Sequence, residues 1–440
     1  MVNSPTSVSV LLLFLLVFSP SNYSTAAFSV GKDGTLNNGM LRSTQKAMAS
    51  IRVVSYNVLS PNLATTASYP TLNPEHLDPS KRLEAVLSKI EIEISSAKSR
   101  GVIVCLQEVS YDWAGSLHSF FANRGYHMVT GLYGRPFNGY MGVAMAWPTS
   151  SFETLDVDIS RLSDTRDGGW PRELPEDVEI LKQNKAAGSK EKPCFPLFSW
   201  LFPKKKPQKE EWPPLDPWEY SERRFNVLLT ATLKQKETNA RFCVGTYHMP
   251  CAFYAPQVMT IHSEMAAYRV QHLAQRNIPD AETEQATKTS ANSMRLPYIV
   301  AGDWNIKPPD AAYQLLTTGT LSAEDPAYPD PATSKLDASR TLMTWEPRIK
   351  GMRSTYAAIH DGKEPDYTNY AAPRSLEEDD NCFIDTLDYI FVSPEWKVLA
   401  TTEPPNRAQT KGPFPNLDAD VREPSDHILI SADLEIDTKN

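Results

Sequence analysis

Cysteine is scarce in this chain of 440 residues: five are scattered at Cys105, Cys194, Cys243, Cys251 and Cys382, an odd number without close pairing. That excludes a dense disulfide scaffold and a zinc site of Cys/His spacing. Cys105 and Cys243 lie in strand-like apolar runs and read as small buried thiols. The phosphate-cradling pattern G-x-x-x-x-G-K-[ST] and the nucleophile pattern G-x-S-x-G are both missing. Net positive charge is missing too: the formal value of −9 argues against a uniformly basic polyanion binder and leaves room only for a local basic rim. There is no internal repeat, and no apolar run reaches the roughly 20 residues that span a bilayer.

What is there begins at the N-terminus. "SVSVLLLFLLVF", residues 7–18, is an uncharged run of signal-peptide length, with small residues at Ser24 to Ala27 for cleavage. We expect a signal peptide over 1–27, although its positive n-region is reduced to the α-amino group. Residues 28–50 are basic and rich in Ser, Thr, Asn and Gly, and read as a leader or linker. The two together resemble the two-part plastid leaders of algae with secondary plastids. The expected destination is the secretory pathway, ending in secretion or a plastid. The mature chain is expected to be a soluble monomer with no transmembrane span.

From residue 51 to 437 strand-like and helix-like segments alternate without strict βαβ order. "IRVVSYNVL", "GVIVCLQEV", "NVLLTATLK", "RFCVGTYHM", "LPYIVAGDW", "IDTLDYIFVS" and "HILISADLEI" read as strands; the fourth and third form a hairpin about "QKETNA". "FFANRGYHMVTG" and "NGYMGVAMAWP" read as another strand pair. Helices are expected over "PSKRLEAVLSKIEIEISSAKSR", from Pro256 to Arg276, and over "PPDAAYQLLTTG". A Pro- and Lys-rich stretch at about 164–222 reads as an insertion. Many strands with several helices predict an α/β (α+β) four-layer sandwich: two packed mixed sheets flanked by helices.

Strand after strand ends on a residue that binds cations or protons: Asn57, Glu108, His248, Asp303 with Asn305, Asp388, and Asp426 with His427. Each alone has a structural explanation as a turn cap, surface carboxylate or core histidine. Repeated carboxylates beside apolar runs, however, need a common charge partner, because an unpaired buried carboxylate costs several kcal/mol. Oxygen donors with few nitrogens suit a hard divalent ion, Mg²⁺ first and Mn²⁺ second. Phosphodiester hydrolysis needs such an ion, a base for water, and donors to the phosphate. Glu108 fits the ion, Asp303 the water, Asn305 and His248 the donors, and a His427 polarised by Asp388 fits the acid.

The ordered motifs "SYNVL", "LQEV", "TYHMP", "AGDWN", "TLDYIF" and "PSDH" resemble the endonuclease/exonuclease/phosphatase superfamily of Mg²⁺-dependent phosphodiesterases, from about residue 51 to 436. The resemblance implies that Asn57 and Glu108 lie at the metal, with Asp426 near a second metal position. It also implies that Asp303 orients or deprotonates the water, Asn305 contacts the phosphate, and Asp388 orients His427. "RSTYAAIHDGKEPDYTNYAAP" and the stretch that ends in "REPSDH" are similar to the carbon-catabolite-repressor deadenylase and nocturnin branch. That implies a 3′ to 5′ exonuclease on single-stranded RNA, often poly(A), with Tyr367, Asn369 and Tyr370 as candidate base contacts.

The chain departs from that branch in three respects. It carries no leucine-rich partner-binding repeats, "TYHMPCAFYAPQVMTIH" replaces the usual sequence after the site histidine, and the stretch at 164–222 is unusual. His262 in the replaced sequence is expected on a helix surface near the site. Nocturnin-like relatives dephosphorylate a nicotinamide dinucleotide, so the alternatives are a phosphatase or phosphodiesterase on a nucleotide such as NADP, on DNA or on a lipid headgroup. A second alternative is an inactive RNA-binding module, against which the intact carboxylates speak.

Overall fold

The computed structural model describes residues 50–97, 100–170, 216–275, 295–331, 345–375 and 381–436. The expected signal peptide, the leader up to residue 49, Cys194 and the stretch 171–215 lie outside the described residues.

Two six-stranded mixed sheets pack face to face. The first holds, in spatial order, β13 (Trp396–Thr401), β14 (Ile430–Ile436), β1 (Ser50–Asn57), β2 (Gly101–Val109), β4 (Gly142–Pro148) and β3 (Tyr126–Leu132). The second holds β5 (Phe152–Arg161), β6 (Val227–Gln235), β7 (Arg241–His248), β8 (Tyr298–Asp303), β12 (Asp388–Val392) and β9 (Arg353–Ser354). A short pair, β10 (Asn369–Ala371) with β11 (Phe383–Asp385), stands beside them. Helices α1 (Pro79–Ser96) and α2 (Tyr111–Ala122) cover the first sheet. Helices α3 (Pro217–Glu222), α4 (Pro256–Leu273) and α5 (Ala311–Thr318) cover the second, and α6 (Thr355–Ile359) packs on β12 and β13. This is the expected four-layer sandwich.

Period-two alternation sorts the strand side chains into layers. Ile51, Val53, Ile103, Cys105, Val244, Ile299, Ala301, Ile390 and Val392 fill the space between the sheets. Their neighbours Val54, Val102, Val104, Tyr298, Val300 and Phe391 face the helices. β1 runs parallel to β2 and β7 parallel to β8, with α1 and α4 as the crossovers, so the carboxyl ends of four strands meet at one edge. Ligands in α/β sheets gather outside such ends. Helix starts follow the local chemistry: Asp78 accepts from the Ser80 and Lys81 amides ahead of Pro79, and Ser110 accepts from the Trp113 amide.

One expectation changes. Phe120 and Phe121 belong to the end of α2 rather than to a strand, and β3 starts only at Tyr126, because the paired rings pack inward on the helix period. The described ends of the expected insertion at 164–222 pack on the domain: the hydroxyl of Ser163, just before it, donates to Ser221 O, and Trp218 is fully buried. Gly302 lies within β8, where a Cβ would stand 1.9 Å from Tyr247 O, so only glycine lets the parallel strands approach. Among the described residues no helix is long and apolar enough to cross a membrane.

Candidate active site

The inner-face alternation continues past the apolar core to produce the site. In β1 the residue after Ile51, Val53 and Ser55 is Asn57; in β7 the series ends on Thr246 and His248; in β8 it ends on Asp303. β12 runs the opposite way, so its first residue, Asp388, arrives at the same edge; Asp388 starts its strand rather than ending it. Strand register then sets the row, with His248 opposite Asp303 and Asp303 opposite Asp388. A polar step separates row from core: Gln107 Nε2 donates to Thr246 Oγ1 across the sheets at 3.1 Å.

Glu108 is out of phase with this alternation and reaches the site by another device. Its φ of 57° lies where the β2–β4 register breaks, a bulge that turns its carboxylate inward. Asn57 Nδ2 donates to Glu108 Oε1 at 3.3 Å and to Asp303 Oδ2 at 2.9 Å, joining the two sheets. The Ser60 amide holds Glu108 Oε2 at 2.9 Å.

Two imidazoles converge on the same Asp303 oxygen. His248 Nε2 is 3.5 Å and His427 Nε2 3.6 Å from Oδ2. His427 Nδ1 lies 2.8 Å from Asp388 Oδ2, which also accepts from Thr368 Oγ1 at 2.7 Å. An ionised carboxylate only accepts, so Nδ1 carries a proton. Burial acts to lower the His427 pKa, but Asp388 and Asp303 more than offset it and hold the imidazole protonated well above the usual histidine range. The Asp303 carboxyl is shifted up as well: burial raises it, against the lowering pull of His427 and His248. His248 Nδ1 faces the Tyr133 hydroxyl at 3.2 Å, and Asn226 Nδ2 donates to that hydroxyl at 3.4 Å. The Asp303 carboxylate beside Nε2 favours the proton on that nitrogen, and the Tyr133 hydroxyl then donates to Nδ1.

Asn305, with a φ of 48°, turns back so that its amide donates to Asp303 Oδ1 at 3.0 Å and its Nδ2 to Met249 O at 3.0 Å. Asp426 accepts from the Tyr69 hydroxyl at 2.7 Å, with Arg374 at 3.4 Å. A cavity of about 1190 Å³ opens over these groups.

Four buried carboxylates, Glu108, Asp303, Asp388 and Asp426, face few cations here. Asp388 Oδ1, Asp426 Oδ1 and Asn369 Oδ1 are buried without a protein partner. Acceptors left without donors in a buried acidic cluster fit a hard divalent cation. Asp303, Asp388 and His427 offer donor atoms within 4.8 Å of one another. Glu108 and Asp426 present further buried carboxylates at the same cavity, with Asn57 beside Glu108.

The structure thus brings together Asn57, Glu108, His248, Asp303, Asn305, Asp388, Asp426 and His427. Asn369 joins them through its bridge to His427 and lines the cavity. Tyr367 and Tyr370 do not line it. Tyr367 is buried with its hydroxyl on Thr410, and Tyr370 packs edge-on to it at 5.8 Å and against Phe414, so both brace the loop carrying Asn369. His262 is neither at the site nor on a surface. It is buried between Tyr247 OH at 2.8 Å and Ser221 O at 3.1 Å, and burial pushes its pKa down to about 3.

Sequence reasoning missed Tyr69, Tyr133, Thr368, Arg374 and Arg82. Arg82 is fully buried and donates to Pro424 O at 2.6 Å, Val58 O at 2.9 Å and Leu59 O at 2.6 Å, tying the loop after Asn57 to the loop before Asp426. A signal existed: Arg82 shares the buried helix stripe of Ala85, Val86 and Ile90.

Similarity to known proteins follows this geometry. The sequence model of the Endonuclease/Exonuclease/phosphatase family matches residues 54–427. The CCR4-Not complex 3'-5'-exoribonuclease subunit Ccr4 of Neosartorya fischeri is 24% identical over 417 residues, covering 88% of this chain and 48% of that protein. The chain thus spans about half the length of the Ccr4 proteins it matches. Carbon catabolite repressor protein 4 homolog 4 of Arabidopsis thaliana is 24% identical, covering 93% of this chain and 82% of its own. Among solved structures, ANGEL2, a 2',3'-cyclic phosphatase in complex with adenosine-2',3'-vanadate, superposes with a TM-score of 0.57 at 17% identity, over 88% of this chain and 96% of that one; the likeness is one of fold.

Proposed function

Because the chain belongs to the Endonuclease/Exonuclease/phosphatase family, whose members hydrolyse phosphate esters, we propose that it is a Mg²⁺-dependent 3′ to 5′ exoribonuclease acting on single-stranded RNA. The observation that carries the reading is the convergence of Asn57, His248 and His427 on one Asp303 oxygen, beside Glu108 and Asp426. Asp303, its carboxyl raised by burial, orients a water and takes its proton. Asn305 and His248 donate to the phosphate oxygens, and the protonated His427, held by Asp388, donates from Nε2. A bound Mg²⁺, or Mn²⁺ in its place, would sit at Glu108 and Asp426 and supply positive charge to offset the phosphate.

Two further points support RNA. The Ccr4 relatives carry that activity in their names. The cavity of about 1190 Å³ exceeds the roughly 300–1,000 Å³ of small-molecule pockets. The test is a substrate panel of labelled oligo(A), single-stranded DNA and NADP, each with Mg²⁺ and with EDTA. Stepwise shortening of oligo(A) from its 3′ end is expected; hydrolysis of NADP without RNA cleavage would refute the exoribonuclease reading. Delivery through the secretory pathway, to the outside or to a plastid, belongs to the same proposal. A fluorescent protein fused behind residues 1–50 tests it, and a cytosolic signal would refute it.

A further inference from the structure

The loop between β3 and β4 does more than present Tyr133 to His248. It is braced from several sides: Asn138 Oδ1 accepts from the Arg135 amide at 2.7 Å, Ser60 Oγ donates to Asn138 O at 2.9 Å, and the Tyr111 amide donates to Gly139 O at 2.9 Å. On this braced loop Phe137 is 69% exposed, at the wall of the cavity. Across the same wall Phe225 is 48% exposed, with the Arg135 guanidinium 5.4 Å from its ring centre. Arg224 also lines the cavity, its guanidinium 3.5 Å from the Tyr220 ring centre. Among the described residues neither Arg135 nor Arg224 pairs with a carboxylate.

Phe137, a large apolar ring held out into water at the cavity mouth, gains little for the fold, whereas Phe225 is faced by the guanidinium groups of both Arg135 and Arg161, the latter 5.1 Å from its ring centre. Flat rings alternating with unpaired guanidinium groups match what a single strand offers, a base face and then a phosphate. The lane is continuous with the catalytic row, since Tyr133, two residues before Arg135, touches His248. It is also cationic, whereas the centre is crowded with carboxylates, so a polyanion is drawn along the wall and held there by the lane.

Resting on the RNA reading above, we infer that Phe137 and Phe225, with Arg135 and Arg224, form a second nucleotide subsite that holds a base and phosphate beyond the nucleotide being hydrolysed. The enzyme is then selective for strands over mononucleotides.

The test compares kcat/KM on pentaadenylate and on bis(p-nitrophenyl) phosphate, a diester too small to reach the subsite, in the full chain and in Phe137→Ala, Phe137→Tyr and Arg135→Gln/Arg224→Gln. Losing one stacked base lowers the ratio of the two kcat/KM values about tenfold in Phe137→Ala, mostly through KM, and Phe137→Tyr restores it. The double arginine variant flattens the salt dependence of log KM by about 0.7 per charge removed. Equal losses on both substrates, an unchanged ratio, or failure of tyrosine to restore it would overturn the subsite. If the unaltered enzyme hydrolyses the diester but no oligonucleotide, the RNA reading itself falls, and the subsite falls with it.

Discussion

Replacing Asp388 by asparagine removes one charge and almost no shape. The carboxylate lies 2.8 Å from His427 Nδ1, and both groups are buried. At an effective dielectric of about 20, unit charges at that distance attract by about 6 kcal/mol, which favours the protonated imidazole. An amide oxygen at the same place still accepts from Nδ1–H and from Thr368 Oγ1, so ring orientation survives while its charge partner is lost. The amide nitrogen falls where Asp388 Oδ1 has no protein partner, so it displaces no protein donor. We expect kcat on labelled oligo(A) to fall by about 10²- to 10⁴-fold, the range for a lost acid or base, with the melting temperature nearly unchanged. The sign of the pH effect is fixed. The carboxylate favours the protonated imidazole, so its removal lowers the His427 pKa and the alkaline limb of the kcat profile moves to lower pH. Thr368→Val, which removes a hydrogen bond but no charge, should cost about tenfold or less. A kcat for Asp388→Asn within threefold of the parent, with an unmoved alkaline limb, would refute the reasoning.

Gly302→Ala drives a Cβ to 1.9 Å from Tyr247 O, backbone against backbone. It should cost about 1–3 kcal/mol or more in urea denaturation and lower kcat as well, because Asp303 moves; an unchanged midpoint would contradict the close approach. His262, with its folded pKa down to about 3, remains neutral while the unfolded chain takes up a proton below its usual value near 6.5. Its contribution is therefore intact above pH 6.5 and is lost as the pH falls toward 3, by about 1.4 kcal/mol per pH unit. His262→Gln should remove that slope, and an unaltered slope of stability against pH would count against it. Tyr133→Phe frees the His248 tautomer and should lower kcat about tenfold with little change in melting temperature; parent-like kcat would show that the hydroxyl does not set the ring. Chelation by EDTA should abolish hydrolysis and lower the melting temperature, with Mg²⁺ restoring both. At 100 times its Kd, a bound ion adds about 2.7 kcal/mol, a shift of several degrees that calorimetry would detect or exclude.

Much of the fold was legible because its signals are local. The runs "IRVVSYN", "RFCVGTYH" and "YIVAGD" become β1, β7 and β8, and the Pro79 and Pro256 starts become α1 and α4. Phe120 and Phe121 misled because a short apolar run has no period long enough to separate helix from strand. The polar strand ends were legible for the opposite reason: a carboxylate at the end of a buried run is costly anywhere, so its repetition pointed to a shared partner before any distance was known. Tyr367 and Tyr370 misled because an aromatic pair reads the same whether it holds a base or a neighbouring loop. His262 misled because nothing in its neighbourhood in the sequence announces Tyr247 OH and Ser221 O as its partners.

The sequence by itself determined the chemistry: which residues carry charge, which runs are buried, and that Asp303 and Asn305 follow a strand. Only the tertiary structure decided which of those groups meet. Asp388 joins Asp303 because β12 runs antiparallel to β8, and Asn57 reaches the same oxygen because two sheets face each other at one edge. Glu108 enters through a bulge, and Arg82 bonds to Pro424, 342 residues further along the chain, while also holding the loop after Asn57. Residue type and period are properties of neighbours along the chain. Strand direction, register and cross-sheet contact are long-range, and they are fixed only when the core between the sheets closes.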